Sequence, residues 1–311
     1  MRKKARVIAY YLPQFHPIAE NDRWWGEGFT EWVNVKKAKP LFEGHYQPRI
    51  PADLGYYDLL NPDVREKQAA LAREAGIEGF CYWHYWFGNG KRLLERPFQE
   101  VLETGKPDFP FCLGWANHSW TNKTWKTTGS LVESGILMEQ TYSEDDYIRH
   151  FHAVLPAFKD ERYIQVDGKP LFLIFAPYHI PDARLFISKW NELAKENGLS
   201  GIHFVANSEC MMRLFRRVAF RLSSNKKRFN PFFRMGFDAV IIPRRAFRVW
   251  HMLWYGLTEL LGINVVLKCD YGKATEDILV DECAQENIYP VVLPNWDRTP
   301  RMGKRADIWH G

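Results

Sequence analysis

Four stretches of this sequence crowd aromatic rings together with imidazole, amide and carboxylate groups. In the first, Tyr11-Leu12-Pro13-Gln14-Phe15-His16 precedes Trp24-Trp25-Gly26-Glu27-Gly28-Phe29-Thr30-Glu31-Trp32, which places three Trp and two carboxylates in nine residues. The second is Cys81-Tyr82-Trp83-His84-Tyr85-Trp86, the third Trp115-Ala116-Asn117-His118-Ser119-Trp120, and the fourth Asn295-Trp296-Asp297, with Asn207-Ser208-Glu209 a sparser relative. Flat rings pack on the C–H faces of sugars, and neutral amides, imidazoles and carboxylates take the hydroxyls. The carbohydrate chemistry that suits such a set needs two carboxylates, one to move a proton and one to manage a cationic sugar. Glu31 and Asp297 are the candidates, with a neutral His84 assisting proton transfer. The remaining candidates are binding residues: Tyr11, Gln14, His16, Trp24, Trp25, Glu27, Tyr82, Trp86, Trp115, Asn117, His118, Trp120, Asn207, Asn295 and Trp296. Each has a plainer reading. A histidine is often a satisfied structural residue, a single carboxylate at a loop start is as often a cap or an ion-pair partner, and aromatics can simply fill an interior.

Other chemistries find little support. No Gly-rich phosphate loop, H-E-x-x-H, G-x-S-x-G or metal-ligand cluster is present, so no cofactor or metal is expected. The five cysteines are an odd number without a C-x-x-C pair, which reads as reduced thiols in a cytoplasmic protein. The apolar run at the start is too short for a signal peptide, and no segment approaches a membrane span of roughly 18 apolar residues. Charge is uneven. Residues 213–248 hold eleven Lys or Arg against one acid, a local +10 that leaves the rest of the +5 chain at −5. That segment could contact an anionic membrane surface peripherally, or be a solvated helix face. Nucleic acid is not expected, because no binding module accompanies the basic stretch.

Positioning such residues requires a scaffold, and short apolar runs alternating with helical patterns point to βα units around a parallel sheet. Strands are expected near Arg6–Leu12, Glu78–Tyr85, Pro110–Ala116, Leu171–Ala176, Ile202–Ala206, Asp238–Pro243 and Pro290–Pro294. Asn61-Pro62 starts a helix that Gly76 closes, Ser143 with Asp146 forms a capping box, and residues 182–197 carry one apolar face. Asp167-Gly168 reads as the turn of a small hairpin. The strands' C-terminal ends would surround one mouth, where Tyr82, His84 and Trp86 share a face of the second strand. The long segment 13–60 is of a length that is usually functional.

The blocks YYLPQFHPIAENDRWWGEGFTEWVNV, GFCYWHYWF, LGWANHSW and LPNWDRTPR, in this order, resemble the glycoside hydrolase family 99-like proteins, also labelled WbsX-type glycosyltransferases. The resemblance spans nearly the whole chain. It implies one (β/α)8 barrel domain over residues 1–311 and a role in assembling or trimming bacterial surface polysaccharide, commonly O-antigen of lipopolysaccharide, as glycosyltransferase or endo-glycosidase. It implies oligosaccharide or lipid-linked glycan as ligand, with nucleotide sugar as a possible donor. It also implies binding roles for Tyr11, Gln14, His16, Trp24, Trp25, Glu27, Glu31, Trp115, Asn117, Asn295, Trp296 and Asp297. Many members carry an acid where His118 stands. The family's likely acid pair lies in an N-E-W-x-E motif on an eighth strand, which this sequence does not reach by Gly311, so the barrel is expected to be C-terminally incomplete. Trp190-Asn191-Glu192 is no substitute, because it lies inside the amphipathic helix 182–197. A competing count makes Asn264–Lys268 a seventh strand and Pro290–Pro294 an eighth. A non-catalytic glycan-binding barrel is the alternative function.

Overall fold

The computed structural model describes residues 5–121, 135–208, 225–242, 253–254, 257–258, 261–263, 265–276 and 284–310. Seven parallel strands make the central sheet: β1 Ile8–Tyr11, β2 Gly79–Gly88, β3 Phe111–Trp115, β4 Lys169–Ile174, β5 His203–Asn207, β6 Ala239–Ile241 and β7 Ile288–Tyr289. They pair in chain order from β1 to β7, as successive βα units do. The sheet is curled, and among the described residues β1 and β7 remain its two edges. This is the α/β, barrel-like architecture that the sequence suggests, with seven strands and no eighth among the described residues.

The helices follow local chemistry. Within the long β1–β2 connection lie α1 (Ala19–Trp25), α2 (Glu31–Lys37) and α3 (Pro62–Glu74), the last opened by Asn61, whose side chain accepts from the Asp63 amide. Next come α4 (Arg96–Thr104), α5 (Glu144–Phe158), opened by Ser143 through the Asp146 amide, and α6 (Ala183–Glu196), opened by Asp182 through the Leu185 amide. Each cap satisfies an amide that the first turn leaves without a partner. After β5 come α7 (Asn225–Met235), α8 (Tyr271–Glu276) and the single turn α9 (Thr299–Met302). The expected hairpin forms as Gln165–Val166 against β4. Asp167 and Gly168, both with positive φ, make its turn.

Two expectations are corrected. The seventh strand is Ile288–Tyr289, just before the expected Pro290–Pro294. The competing strand at Asn264–Lys268 forms instead at Leu267–Asp270 and leaves the barrel, pairing with Asp307–His310 in a separate two-stranded parallel sheet. Of the basic segment 213–248, residues 213–224 and 243–248 lie outside the described residues.

Strand register defines two faces. Trp83 aligns with Gly114, and Gly114 with Leu173. A side chain at Gly114 would meet Cys81, Leu173 and Trp83 within 3.2 Å, so these residues share one inner face that is tightly packed over the glycine. The opposite face carries Phe80, Tyr82, Phe111, Leu113, Phe172 and Phe204. It packs on α5 and α6, where Phe151, Phe158, Phe186 and Trp190 are almost wholly buried. Trp190 sits 4.8 Å from Phe172 and 4.7 Å from Phe186, ring centroid to centroid. That layer is the main core.

Candidate functional site

Alternation along β2 sends Tyr82, His84 and Trp86 to the helix side. Tyr82 packs on Phe98 and Tyr11. Trp86 Nε1 donates to Asp146 Oδ2 at 2.9 Å, and Trp115 Nε1 donates to the Trp86 carbonyl at 2.9 Å. His84 Nε2 meets His150 Nε2 at 2.9 Å. One ring must donate and the other accept across that contact, so both cannot be charged. Desolvation pushes His84 down to about 3, with Arg92 adding to the effect, and His150 also falls well below the ordinary range. The mouth-facing role expected for Tyr82, His84, Trp86 and Trp115 is therefore corrected: these four lie in the layer between sheet and helices.

The inner face carries the other parity. Tyr10, which is 42% exposed, stacks on Trp83 with ring centroids 5.0 Å apart and planes 7° from parallel. Phe175 meets Trp83 edge-on at 5.2 Å, and His118 lies 5.1 Å from Phe175. His118 is half-buried, with Nδ1 shielded and without a partner among the described residues. Burial lowers it to about 4, with a smaller contribution from His179, so it is a neutral hydrogen-bonding group at neutral pH. Asn207 ends β5 in register with Ile241 on this same face. Tyr10, Trp83 and Phe175 were not among the residues singled out from sequence. The signal was present in period-2 alternation, but both faces of β2 are aromatic, so composition could not say which one turns inward.

Above the strand ends, Tyr85, Phe87, Leu93, Leu94, Ala116 and Met138 form a second cluster that Trp24, Trp83 and Trp120 partly cover. Trp24 and Trp120 meet at 6.1 Å. Trp25 packs on Phe29, and Glu27 is exposed. Asn117 is fully buried and ties β3 to β4, accepting from the Ala176 amide at 2.7 Å and donating to its carbonyl at 2.9 Å. Tyr11 Oη donates to Gln68 Oε1 at 2.6 Å. Gln14 and His16 are buried, and Gln14 Nε2 lacks a partner among the described residues. Asn295 is exposed, and Trp296 Nε1 donates to Asp307 Oδ2 at 2.8 Å.

Both candidate carboxylates are engaged by protein. Glu31, buried at the first position of α2, accepts from Arg301 of α9. Its pKa is nonetheless raised, because desolvation outweighs the attraction of that guanidinium. Asp297 accepts from the Thr299 amide at 2.8 Å and Thr299 Oγ1 at 2.6 Å on Oδ1. Its Oδ2 takes Gln47 Nε2 at 2.6 Å and His45 Nε2 at 3.0 Å. His45 Nδ1 accepts from the Leu41 amide at 3.1 Å, which leaves the ring proton on Nε2, pointing at Asp297. Burial favours the neutral acid, but the hydrogen bonds from His45, Thr299 and Gln47 prevail and hold Asp297 below its ordinary pKa. The long β1–β2 connection is thus fastened to the 297–301 segment at two points. Among the described residues no group of three or more His, Cys, Asp or Glu could hold a metal ion, and no helix is long and apolar enough to cross a membrane.

Comparison with known proteins gives three results. Residues 7–311 match the family model described as glycosyltransferase WbsX. Two uncharacterized WxcX proteins, from two strains of Xanthomonas campestris pv. campestris, are each 44% identical over 307 residues, covering 98% of this chain and 41% of the relative. The chain therefore spans about two-fifths of the length of those curated relatives. Among solved structures, a GH99 endo-alpha-mannosidase from Bacteroides thetaiotaomicron superposes at TM-score 0.43 and 13% identity, over 85% of this chain and 70% of that one. A glycoside hydrolase-like protein gives TM-score 0.43 and 13% identity, over 90% of this chain and 88% of that one. With its family model matched from Val7 to the last residue, the chain belongs to the WbsX glycosyltransferase family.

Proposed function

We propose that this chain binds a glycan along the inner face of its curled sheet and serves chemistry at glycosidic bonds, as transferase or endo-acting hydrolase, in the synthesis of bacterial surface polysaccharide such as O-antigen or lipopolysaccharide. One observation carries the reading: the inner face presents the exposed Tyr10 stacked on Trp83, Phe175 against it, and a neutral His118 whose Nδ1 has no partner among the described residues. A rigid aromatic surface beside neutral donors and acceptors suits a pyranose ring, which has an apolar face and a hydroxylated rim. The ligand is an oligosaccharide or lipid-linked glycan, with a nucleotide sugar as donor if the reaction is transfer. The setting is cytoplasmic, at or near the inner membrane.

In this reading Glu31, its pKa raised by burial, is the proton donor, once Arg301 turns to the substrate. Asp297, held ionised, supplies fixed negative charge. Assaying lipid-linked oligosaccharide with activated sugars tests this. Glu31→Gln should lower turnover by roughly a hundredfold, and Trp83→Ala should weaken glycan binding about tenfold. Turnover indifferent to Glu31→Gln removes the acid role, and glycan binding indifferent to Trp83→Ala removes the inner face as the site.

The full engagement of Asp297 by four protein donors favours a second reading, a glycan-binding module without turnover. It predicts micromolar glycan binding and no product in the same assay.

A further inference from the structure

We propose that Arg49 is an oxyanion-binding residue, so that the glycan taken by this site carries a carboxylate or phosphate group. The inference rests on the carbohydrate reading above and adds the charge of the ligand. The loop 45–50 bends at Pro48, after a cis Gln47–Pro48 peptide. His45 and Gln47 turn inward and are buried on Asp297, while Tyr46 and Ile50 turn outward, 63% and 64% exposed. Beyond the bend Arg49 also faces Asp297, but reaches a carboxylate that has no room for it. Asp297 already takes two hydrogen bonds on each oxygen, which fills the roughly four lone-pair positions of a carboxylate. Arg49 Nε stops 3.9 Å from Oδ2, too far for a hydrogen bond.

Charges around Asp297 balance pairwise, with Arg301 on Glu31, Arg298 on Asp307 and Arg49 facing Asp297. The imbalance lies in hydrogen bonds. Among the described residues the Arg49 guanidinium donates none, and its Nε is shielded from solvent without a protein acceptor. A shielded donor left unmade is costly, and a planar guanidinium is the group best shaped to take a carboxylate or phosphate with two parallel bonds. Its side chain is 42% exposed, so a ligand can reach it. The rest of the loop suits the same guest. Phe42 stacks on the His45 ring, and Lys268, its Nζ 3.6 Å from the Phe42 centroid, adds a positive charge there. Rigidity comes from Asp297, which holds the loop from below, so the guanidinium is presented with little ordering left to do.

Isothermal titration of the chain with a neutral disaccharide, the matching uronic-acid disaccharide, a hexose 1-phosphate and inorganic phosphate tests the proposal. The acidic sugars should bind roughly tenfold tighter than the neutral one, with the advantage shrinking as salt rises. In Arg49→Gln that ratio should fall to about one, and Arg49→Lys should recover only part of it. Preference for the uronic acid assigns a carboxylate, and preference for the hexose phosphate assigns a phosphate. Equal binding of neutral and acidic sugars by the unaltered chain overturns the proposal and leaves the carbohydrate reading standing. Binding of inorganic phosphate that needs Arg49, with no sugar bound, supports the anion site and removes the carbohydrate reading.

Discussion

Asp297 combines two demands that conflict. As fixed negative charge in a glycosidic site it should face the substrate, yet all its lone pairs are taken by His45, Gln47 and Thr299. An asparagine cannot reproduce this arrangement, because its amide nitrogen would confront other donors. Asp297→Asn should therefore cost about 2–3 kcal/mol, the scale of lost hydrogen bonds to a buried charge, read as a lower urea midpoint at unchanged slope. Unchanged stability with lost turnover would instead make Asp297 a reacting group. At this scale the sequence was legible in kind but not in partnership. Asn-Trp-Asp signals a polar, aromatic strand end, but nothing local announces that residue 297 will meet residues 45 and 47, some 250 positions earlier. Glu31 is alike, because its partner Arg301 comes from a single turn, α9, too short to carry a periodic signal.

The layer formed by β2–β5 with α5 and α6 is where local signals and tertiary packing agree. Ser143 and Asp182 cap the helices as their sequence positions indicate, and the 3.6-residue spacing of Phe151, Val154, Leu155 and Phe158 gives α5 its buried face. Trp190 stands at the centre of that layer. It is fully buried, packed at tilted angles among Phe172, Phe186 and Phe204, with Nε1 donating to the Tyr147 carbonyl at 3.0 Å. Trp190→Ala should cost about 3–5 kcal/mol from the cavity and the carbonyl left without its donor. Its melting temperature should fall accordingly, and a loss under 1 kcal/mol would show that the layer is not the main core. What the sequence could not supply is the orientation of β2. Tyr82, His84 and Trp86 compete with Trp83 and Tyr85 as equally aromatic sets, so alternation lacked the polar contrast that normally distinguishes the two faces.

For the whole molecule, acid is the informative variable. His84 at about 3 and His118 at about 4, both lowered first by desolvation, stay neutral in the folded chain across pH 5–7, and burial holds His150 down as well. In the unfolded chain the same rings protonate near 6.5. Below that value the unfolded state binds more protons than the native state, so stability falls as pH falls. The contribution is complete above about 6.5 and is lost progressively toward the depressed native values. The contact with His150 sharpens this, since protonating either ring places a charge in the aromatic layer beside Trp86, whose ring lies 4.7 Å from His150. Urea midpoints taken from pH 7.5 to 5 should therefore decline for the unaltered chain. His118→Gln, which keeps a neutral hydrogen-bonding group, should decline less steeply, and His84→Gln should do so again while retaining a donor for His150. A midpoint that holds level down to pH 5, or a decline identical in all three proteins, would mean that these imidazoles are not the groups through which acid unfolds the molecule.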